Sequence, residues 1–453
     1  MIDLGAAGRP RSSLRQVIVA SLIGTTIEWY DFFLFGTASA LVFGKVFFPK
    51  SDPVAGVLFA LTANAVGFAA RPIGGLVFGH FGDRIGRKRL LMLSLVMMGI
   101  SSALMGLLPG YAQIGVAAPL LLTLLRLVQG FSVGGEWGGA VLMASEFGDA
   151  KRRGWWAGWP QAGVPLGNML AAAVLLAMAQ AQSERDFVGW GWRIPFLLSA
   201  VLVGIGWWVR SRLSESPAFE AVARAERVEK APALVALRER PGGIAVGAGL
   251  RLGENICFYV MVTYSLAFLA EQVRVPYTLA LAAVAVGAVA EALTLPVFAG
   301  LSDRIGRRPI YAFGAGGMAV WIFAFFGLLQ TGAALPILAA IVVGLVLHGA
   351  MYGPQAAFIS ELFPTRYRFS GASIAYQLTS IFAGSLAPII AVALYQQAKS
   401  TLPISIYVAG ACLVSVIAAL VARETKGLSF AAIDARDGAA SAAERLPSAS
   451  PSP

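Results

Sequence analysis

Twelve long apolar stretches constrain the fold of this chain more than any other feature of its sequence. Each is about 20 residues long, which is the length that an α-helix needs to cross the hydrocarbon core of a bilayer. Barrel strands are shorter and alternate in polarity, so these continuous runs predict helices. Only 13% of the 453 residues are charged, about half the usual share in soluble proteins. The stretches lie near residues 17–43, 56–80, 89–109, 116–146, 154–180, 190–210, 242–270, 277–299, 310–330, 333–358, 370–396 and 402–421.

The two halves of the chain share an internal repeat. Asp83 and Asp303 lie 220 positions apart in near-identical basic segments, each between the second and third apolar stretch of its half. Glu146 and Glu361, at the ends of the fourth and tenth stretches, form a further matched pair. This order of landmarks predicts an all-α membrane protein of twelve transmembrane helices in two pseudo-symmetric six-helix bundles. The repeated segments are residues 82–89 and 302–309.

Composition divides the chain further. The central segment between the bundles is charged and rich in helix-forming residues, which is typical of a linker along the membrane surface. The last segment is rich in Ala, Ser and Pro without heptads, which predicts a disordered tail. The predicted parts are a cytoplasmic N-terminus (1–16), an N-terminal bundle (17–210), a cytoplasmic linker (211–241), a C-terminal bundle (242–421) and a disordered cytoplasmic tail (422–453).

The net charge of +11 reflects membrane topology rather than a polyanionic partner. With the N-terminus in the cytoplasm, most basic residues fall on that side, including both repeated segments, the linker and the tail. Such an excess of Lys and Arg in short cytoplasmic loops follows the positive-inside rule. We therefore expect a multi-pass protein of the lipid bilayer, in a bacterial-type inner membrane, with both termini cytoplasmic and no nucleic-acid partner.

Ionisable side chains lie inside the first and fourth stretches, where they are costly and usually functional. Glu28 and Asp31 are three positions apart on one helical face, where two carboxyl groups can share or exchange a proton. We expect Arg126 to face Asp31 and to be freed for an anion when Asp31 takes up a proton. A permanent buried ion pair is the alternative. Glu136 lies among glycines and is either a proton relay or a polar helix-packing group.

Three arginines inside the apolar stretches, Arg71, Arg126 and Arg251, favour a substrate with a carboxylate. A guanidinium binds that group with two hydrogen bonds. Glu254 lies three positions after Arg251, so the two either contact the substrate or pair with each other. Tyr30 offers a hydroxyl group to the same substrate-binding site.

The sequence does not favour an enzyme. No nucleophile–base pair, metal-ligand cluster or phosphate-binding G-x-x-x-x-G-K-[S/T] loop stands out. Glu291 and His348 are further ionisable groups inside apolar stretches, although a lone histidine is most often simply hydrogen-bonded. We expect no metal and no cofactor, with protons as the coupling ion.

The repeated segments resemble the loop 2–3 and loop 8–9 signatures of the major facilitator superfamily, and residues 126–130 resemble its RxxQG signature. Segments 28–33, 71–75, 134–139 and 191–196 resemble the metabolite:proton symporter family within that superfamily. The resemblance implies a midplane cavity between rocking bundles, and a gate latch at the loop signatures. In the alternative reading, the arginines of these loops only set the topology. The implied gate residues are Asp83, Arg84, Arg87, Glu146, Asp303, Arg304, Arg307 and Glu361.

Known members of the family carry shikimate, 2-oxoglutarate, citrate, or proline and betaine, and the likeness is nearest to the shikimate type. The resemblance therefore implies a proton symporter that imports a small organic acid, such as shikimate or a di- or tricarboxylate, by alternating access. We expect it to be a monomer. Symport of a zwitterionic osmolyte, export, and a non-transporting receptor are the alternatives. Osmosensing members carry a C-terminal coiled coil, and its absence from this tail disfavours the osmolyte.

Overall fold

The computed structural model describes residues 13–49, 53–215, 220 and 231–436, which form helices and no strand. The first half contains α1 (Leu14–Ala38), α2 (Pro53–Ile85), α3 (Arg87–Leu107), α4 (Ala117–Phe147), α5 (Arg153–Ala181) and α6 (Arg193–Ser211). The second half contains α7 (Pro241–Tyr259), α8 (Tyr277–Ile305), α9 (Arg307–Gln330), α10 (Ala334–Ser360), α11 (Arg368–Leu378) and α12 (Leu402–Val421). Through π-helical turns, α1 continues to Gly44–Phe47, α7 to Leu269–Val273 and α11 to Leu386–Ala398.

The twelve-helix architecture confirms the predicted fold class. Eleven stretches of the described chain are long and apolar enough to cross a membrane. The remaining helix, α2, is 33 residues long. In both halves the second helix packs on the fourth and the third packs on the sixth, which is the pseudo-symmetry expected from the repeat.

Glycine makes the sharp turn in both copies of the repeated segment. Gly86, between α2 and α3, has a φ of 106°, and Gly306, between α8 and α9, has a φ of 128°. Glycine adopts such angles readily because it lacks a Cβ atom. Each turn therefore starts a new helix at once and leaves Asp83 or Asp303 on the last turn of the helix before it.

Small residues let α2 and α4 cross closely. A Cβ atom on Gly130 would lie 1.8 Å from the carbonyl oxygen of Gly67, and one on Gly134 would lie 2.1 Å from that of Arg71. Small residues at a crossing allow the backbones of membrane helices to approach each other. The crossing brings the buried side chains of Arg71 and Arg126 near each other in the first half.

The two bundles meet where α2 packs on α11 and where α5 packs on α8 and α10. One apolar cluster of buried side chains extends from the first bundle into the second. The loops after α2, α4, α8 and α10 lie on one face, which we call the basic face. Its acidic landmarks are Asp83, Glu146, Asp303 and Glu361.

Several predicted segments fall partly outside the described residues: 1–12 of the N-terminus, 216–219 and 221–230 of the linker, and 437–453 of the tail. The described part of the tail differs from the predicted disorder. Residues 430–436 are helical, and Asp434 bonds to Thr365. We call residues 424–434 the strap, because they cross the basic face and form hydrogen bonds there.

Candidate functional site

The ends of α2 and α4 form one corner of the basic face. Arg87 lies 3.5 Å from Asp83 and 3.2 Å from Glu146, and the three side chains are buried. Asp83 accepts hydrogen bonds from the backbone N–H groups of Phe369 (3.3 Å) and Ser370 (2.9 Å). These groups belong to the N-terminus of α11, which favours an anion. Asp83 of the first half therefore caps a helix of the second half.

The second corner repeats this arrangement with the halves exchanged. Arg307 lies 2.6 Å from Asp303 and 3.1 Å from Glu361. Asp303 accepts hydrogen bonds of 2.8 Å from the backbone N–H groups of both Gly154 and Trp155, at the N-terminus of α5. Asp303 of the second half therefore caps a helix of the first half.

Two buried arginines reinforce the corners. Arg153 of α5 lies 2.8 Å from Glu361, and Arg368 of α11 lies 3.5 Å from Glu146. Burial acts to raise the pKa of Glu361, but Arg307 and Arg153 outweigh burial and hold that pKa below its usual value. Helix caps and buried ion pairs together close the basic face.

Two glutamates that the sequence analysis missed, Glu215 and Glu424, cap α3 and α9. Glu215 accepts hydrogen bonds of 3.1 Å from the first two backbone N–H groups of α3. Glu424 does the same for α9, at 3.0 and 3.1 Å. Each follows the last helix of its half. Aligning the two halves beyond their last helices would therefore have shown that these glutamates occupy matching positions. Arg84 and Arg304, predicted as gate residues, are exposed and lie outside the ion-pair clusters.

The strap contacts both halves. The ring of Phe430 lies between two guanidinium groups, with its centroid 3.7 Å from the central carbon of Arg153 and 3.6 Å from that of Arg368. Asp434 accepts hydrogen bonds from the backbone N–H group (2.8 Å) and the hydroxyl group (2.7 Å) of Thr365. Because Arg153 belongs to the first half and Arg368 to the second, the strap joins the two bundles.

Arg71 of α2 is fully buried where the two bundles meet. Its Nε donates a hydrogen bond of 3.2 Å to Gln377 of α11. Its Nη1 and Nη2 have no acceptor in hydrogen-bond geometry among the described residues, and the phenol of Tyr259 faces the guanidinium. The rings of Trp29, Phe32 and Phe68 surround the guanidinium at 5.3 to 5.4 Å. This is a cation with two unused donor atoms, and a carboxylate matches such a pair.

The expected ion pair between Asp31 and Arg126 is not formed within the described structure, so this expectation is corrected. Asp31 accepts a hydrogen bond from Ser199 of α6. The guanidinium of Arg126 packs over the rings of Phe32 and Phe35 instead, at 4.1 and 4.3 Å. These two rings of α1 hold the guanidinium by cation–π contact.

A chain of neutral side chains connects the two groups indirectly. Arg126 donates a hydrogen bond of 2.9 Å to Gln129, and Gln129 donates one of 2.5 Å to Ser102. Ser102 faces the carboxyl group of Asp31. Gln129 and Ser102 therefore lie between the carboxyl group of Asp31 and the guanidinium of Arg126.

Glu28 and Asp31 have different partners, although they share a helical face. Glu28 lies 2.6 Å from Arg210 of α6. Glu136 accepts a hydrogen bond of 2.7 Å from Thr25 and lies 3.9 Å from the same arginine. Sequence reasoning missed Arg210 because it stands at the predicted end of the sixth stretch, where a basic residue is expected to face water.

In the second half, Arg251 bonds to Glu254, as in the self-paired alternative. Glu254 also lies 2.8 Å from Nε2 of His348, and Nδ1 of that ring lies 2.5 Å from Glu291. All four side chains are buried. They form one continuous chain of contacts from α7 through α10 to α8. This chain links His348 and Glu291 to the predicted substrate residues Arg251 and Glu254.

The space between the bundles is nearly closed. A central cavity of about 10 Å³ has room for about one water molecule, so this conformation is closed around its centre. Tyr30 lies away from it, because its hydroxyl group donates a hydrogen bond of 2.8 Å to the carbonyl oxygen of Pro195 within the first bundle. This placement does not support Tyr30 as a substrate residue. The cavity is lined by Trp29, Val164, Arg251, Glu254, Asn255, Phe258, Tyr259, His348 and Tyr352.

Two bundles around a centre lined with buried charges define a class of multi-pass membrane transporter. Residues 21–388 match the family model of the Major Facilitator Superfamily, and the chain belongs to that superfamily. The fold is shared with solved structures of low sequence identity. The proton:xylose symporter XylE bound to 6-bromo-6-deoxy-D-glucose matches with a TM-score of 0.77 at 17% identity, over 93% of this chain and 98% of that chain.

Curated relatives narrow the class. The inner membrane metabolite transport protein YhjE of Escherichia coli (strain K12) is 41% identical over 426 residues, which is 93% of this chain and 97% of that protein. The shikimate transporter of the same organism is 38% identical over 92% of this chain and 96% of that protein. The proline/betaine transporter of the same organism is 32% identical over 445 residues, which is 94% of this chain and 87% of that protein. The chain is therefore a metabolite transporter with a small-molecule substrate and not an enzyme, which confirms the family predicted from the motifs.

Proposed function

We propose that this transporter is a proton-coupled symporter that imports a small organic acid by alternating access, with both termini cytoplasmic. The guanidinium of Arg71 carries the proposal. It is buried at the junction of the bundles with Nη1 and Nη2 unpaired. A buried cation without a charged partner is costly, so a carboxylate that enters when the cavity opens is stabilised there.

Proton coupling rests on Asp31. Among the buried carboxyl groups of the described membrane helices, it is the one with no basic side chain within 4.0 Å. It can therefore gain or lose a proton without breaking an ion pair. The link through Ser102 and Gln129 couples that change to Arg126, near the substrate residue Arg71.

The test is uptake of labelled shikimate, 2-oxoglutarate, citrate, proline and betaine into proteoliposomes, with and without an inward proton gradient. Asp31→Asn and Arg71→Lys are compared with Glu271→Gln, which changes an exposed carboxyl group far from the cavity. We expect the wild type and Glu271→Gln to accumulate one acid when the gradient is applied. Asp31→Asn and Arg71→Lys should lose this accumulation. Accumulation that ignores the gradient, or that survives in Asp31→Asn, would refute proton coupling through this residue.

One observation favours a zwitterionic osmolyte as the second candidate. Trp29, Phe258, Tyr259 and Tyr352 line the central cavity together with the carboxylate of Glu254. Aromatic faces beside an acid suit a substituted ammonium group, and a proline/betaine transporter is among the relatives. Accumulation of proline or betaine, and of no acid in the same panel, would replace the organic-acid proposal.

A further inference from the structure

We propose that Glu254, His348 and Glu291 form a second proton-binding site, in the C-terminal half, which holds one proton in the closed conformation and takes up another when substrate engages Arg251. The first part of this proposal stands on the geometry of the three side chains. The second part rests on the proposed function, since it requires a carboxylate substrate.

The proton count follows from the hydrogen bonds. Nε2 of His348 lies 2.8 Å from Glu254, and Nδ1 lies 2.5 Å from Glu291. A neutral imidazole has one donor and one acceptor nitrogen, and an ionised carboxylate only accepts. Each of the two contacts needs its own proton, and a neutral ring supplies one. A further proton must therefore sit on the ring or on one of the two carboxyl groups.

Charge leads to the same count. Two ionised glutamates and a protonated ring sum to −1, as do one ionised glutamate, one neutral glutamate and a neutral ring. Arg251 contacts Glu254 and adds +1, so the chain of four is neutral when that proton is present. All four residues are at most 3% exposed. Loss of the proton would leave the chain of four with a net charge of −1 inside the membrane, which is unfavourable.

Apart from Arg251, the groups in contact with Glu254, His348 and Glu291 carry no charge at neutral pH, while the guanidinium of Arg71 faces Arg251 from the other bundle. The rings of Phe258 and Tyr352 flank His348 with centroids 5.1 and 5.4 Å away. Gln355 donates a hydrogen bond of 3.4 Å to Glu254. Phenol and thiol groups keep their protons at about pH 7, because their ordinary pKa values are about 10 and 8.5. The remaining titratable neighbours are Tyr259, Tyr311, Tyr376 and Cys257, and Arg71 faces Tyr259 from α2.

Substrate binding changes this balance by one charge. When a carboxylate engages Arg251, the arginine no longer neutralises Glu254, and Glu254, His348 and Glu291 are left with −1. One proton from the aqueous side then restores neutrality. Oε2 of Glu291 is a free acceptor among the described residues, and the ring lines the cavity through which the proton arrives. The substrate and its proton thus bind together.

Isotope-labelled histidine NMR tests the site without transport. The chain has two histidines, so the rings of His80 and His348 give two sets of signals, and His80→Gln removes only the reference set. Infrared spectra of the same samples, at about pH 7, report protonated carboxyl groups. We expect either both His348 nitrogens protonated, or one protonated together with a carboxyl band that Glu254→Gln or Glu291→Gln removes. An unprotonated nitrogen in the His348 ring, in a sample without the infrared band of a protonated Glu254 or Glu291, would overturn the proposal.

Transport tests the coupling. His348→Gln and Glu291→Gln are compared with wild type for gradient-driven accumulation and for exchange at equal pH, after thermal unfolding has shown that both variants are folded. We expect the loss of accumulation with retained exchange. Accumulation equal to wild type in both folded variants would overturn the coupling. If wild type transports no compound of the panel, the proposed function fails, while the spectra still decide the proton site.

Discussion

At the scale of single residues, the partners of a buried arginine indicate its role. Arg210 lies between Glu28 and Glu136, so its charge is compensated within the first bundle. Arg71 is equally buried, but among the described residues its polar neighbours are the neutral side chains of Gln377 and Tyr259. The first arrangement stabilises the bundle, and the second suits a ligand.

Arg210→Gln is expected to destabilise the protein strongly, because it leaves Glu28 and Glu136 buried without a cation. Breaking a buried pair on one side costs about 3–5 kcal/mol. The double variant Glu28→Gln, Arg210→Gln should recover part of that loss, because one uncompensated charge is removed. Thermal unfolding measures both effects. Arg212→Gln, an exposed neighbour, is the matched control, and strictly additive effects in the double variant would contradict this account.

At the scale of elements, the N-termini of α5 and α11 hold the two halves together. Each receives a carboxylate from the opposite bundle, Asp303 for α5 and Asp83 for α11. A partly buried anion at a helix N-terminus is worth up to about 2 kcal/mol. Two such caps, each beside a buried ion pair, bias the basic face towards closure.

Asp83→Asn and Asp303→Asn are each expected to open the basic face, because the helix terminus loses its anion while the side chain keeps its size. Spin labels on the exposed positions Lys151 and Arg366 report the distance between the halves. A loss of 1–2 kcal/mol raises the share of the longer distance about tenfold. Glu271→Gln is the control, and unchanged distances in both aspartate variants would show that the caps do not hold the gate.

The stability contributed by Glu361 should depend on pH in a defined direction. Its pKa is held below the usual value, so its contribution is complete above the ordinary glutamate pKa of about 4.3 and is lost as the pH falls through the lower folded-state value. The difference in thermal midpoint between wild type and Glu361→Gln should therefore be constant from about pH 8 to about pH 5 and shrink only below about pH 4. A difference that already shrinks near neutrality contradicts the assignment.

At the scale of the whole molecule, closure is distributed over two corners, a nearly filled centre and the strap. Phe430 contacts one arginine from each half. Opening of the basic face separates Arg153 from Arg368, so Phe430 must leave at least one of them. We therefore expect the strap to add to the free energy that opening requires.

Truncation after Ala422 is expected to shift the transporter towards an open basic face, with the same spin labels as the measurement. Truncation after Arg436 is the matched control, because it removes the rest of the tail and leaves the strap in place. Phe430→Ala should give part of the shift, since it removes two cation–π contacts of about 0.5–2 kcal/mol each. Equal distance distributions for the two truncations would exclude a closing role for the strap.

Much of this molecule was predictable because the relevant signals are local or repeated. Asp83, Arg87 and Glu146 meet in one cluster, as the motif resemblance implied. Partner choice inside the bundles was less predictable. Arg126 lies over aromatic rings rather than against Asp31, because the packing of α1 on α4 offers two rings at that level.

The sequence by itself determined the membrane helices, the two halves and the repeated basic segments, since length, polarity and repetition are properties of a linear chain. Only the tertiary structure decided which charges meet. Glu28 and Arg210 form an ion pair although they are 182 positions apart. The composition of the tail predicts disorder, yet Asp434 accepts a hydrogen bond from Thr365 on the basic face. Such contacts depend on the angle and register at which helices pack, and no local pattern encodes these.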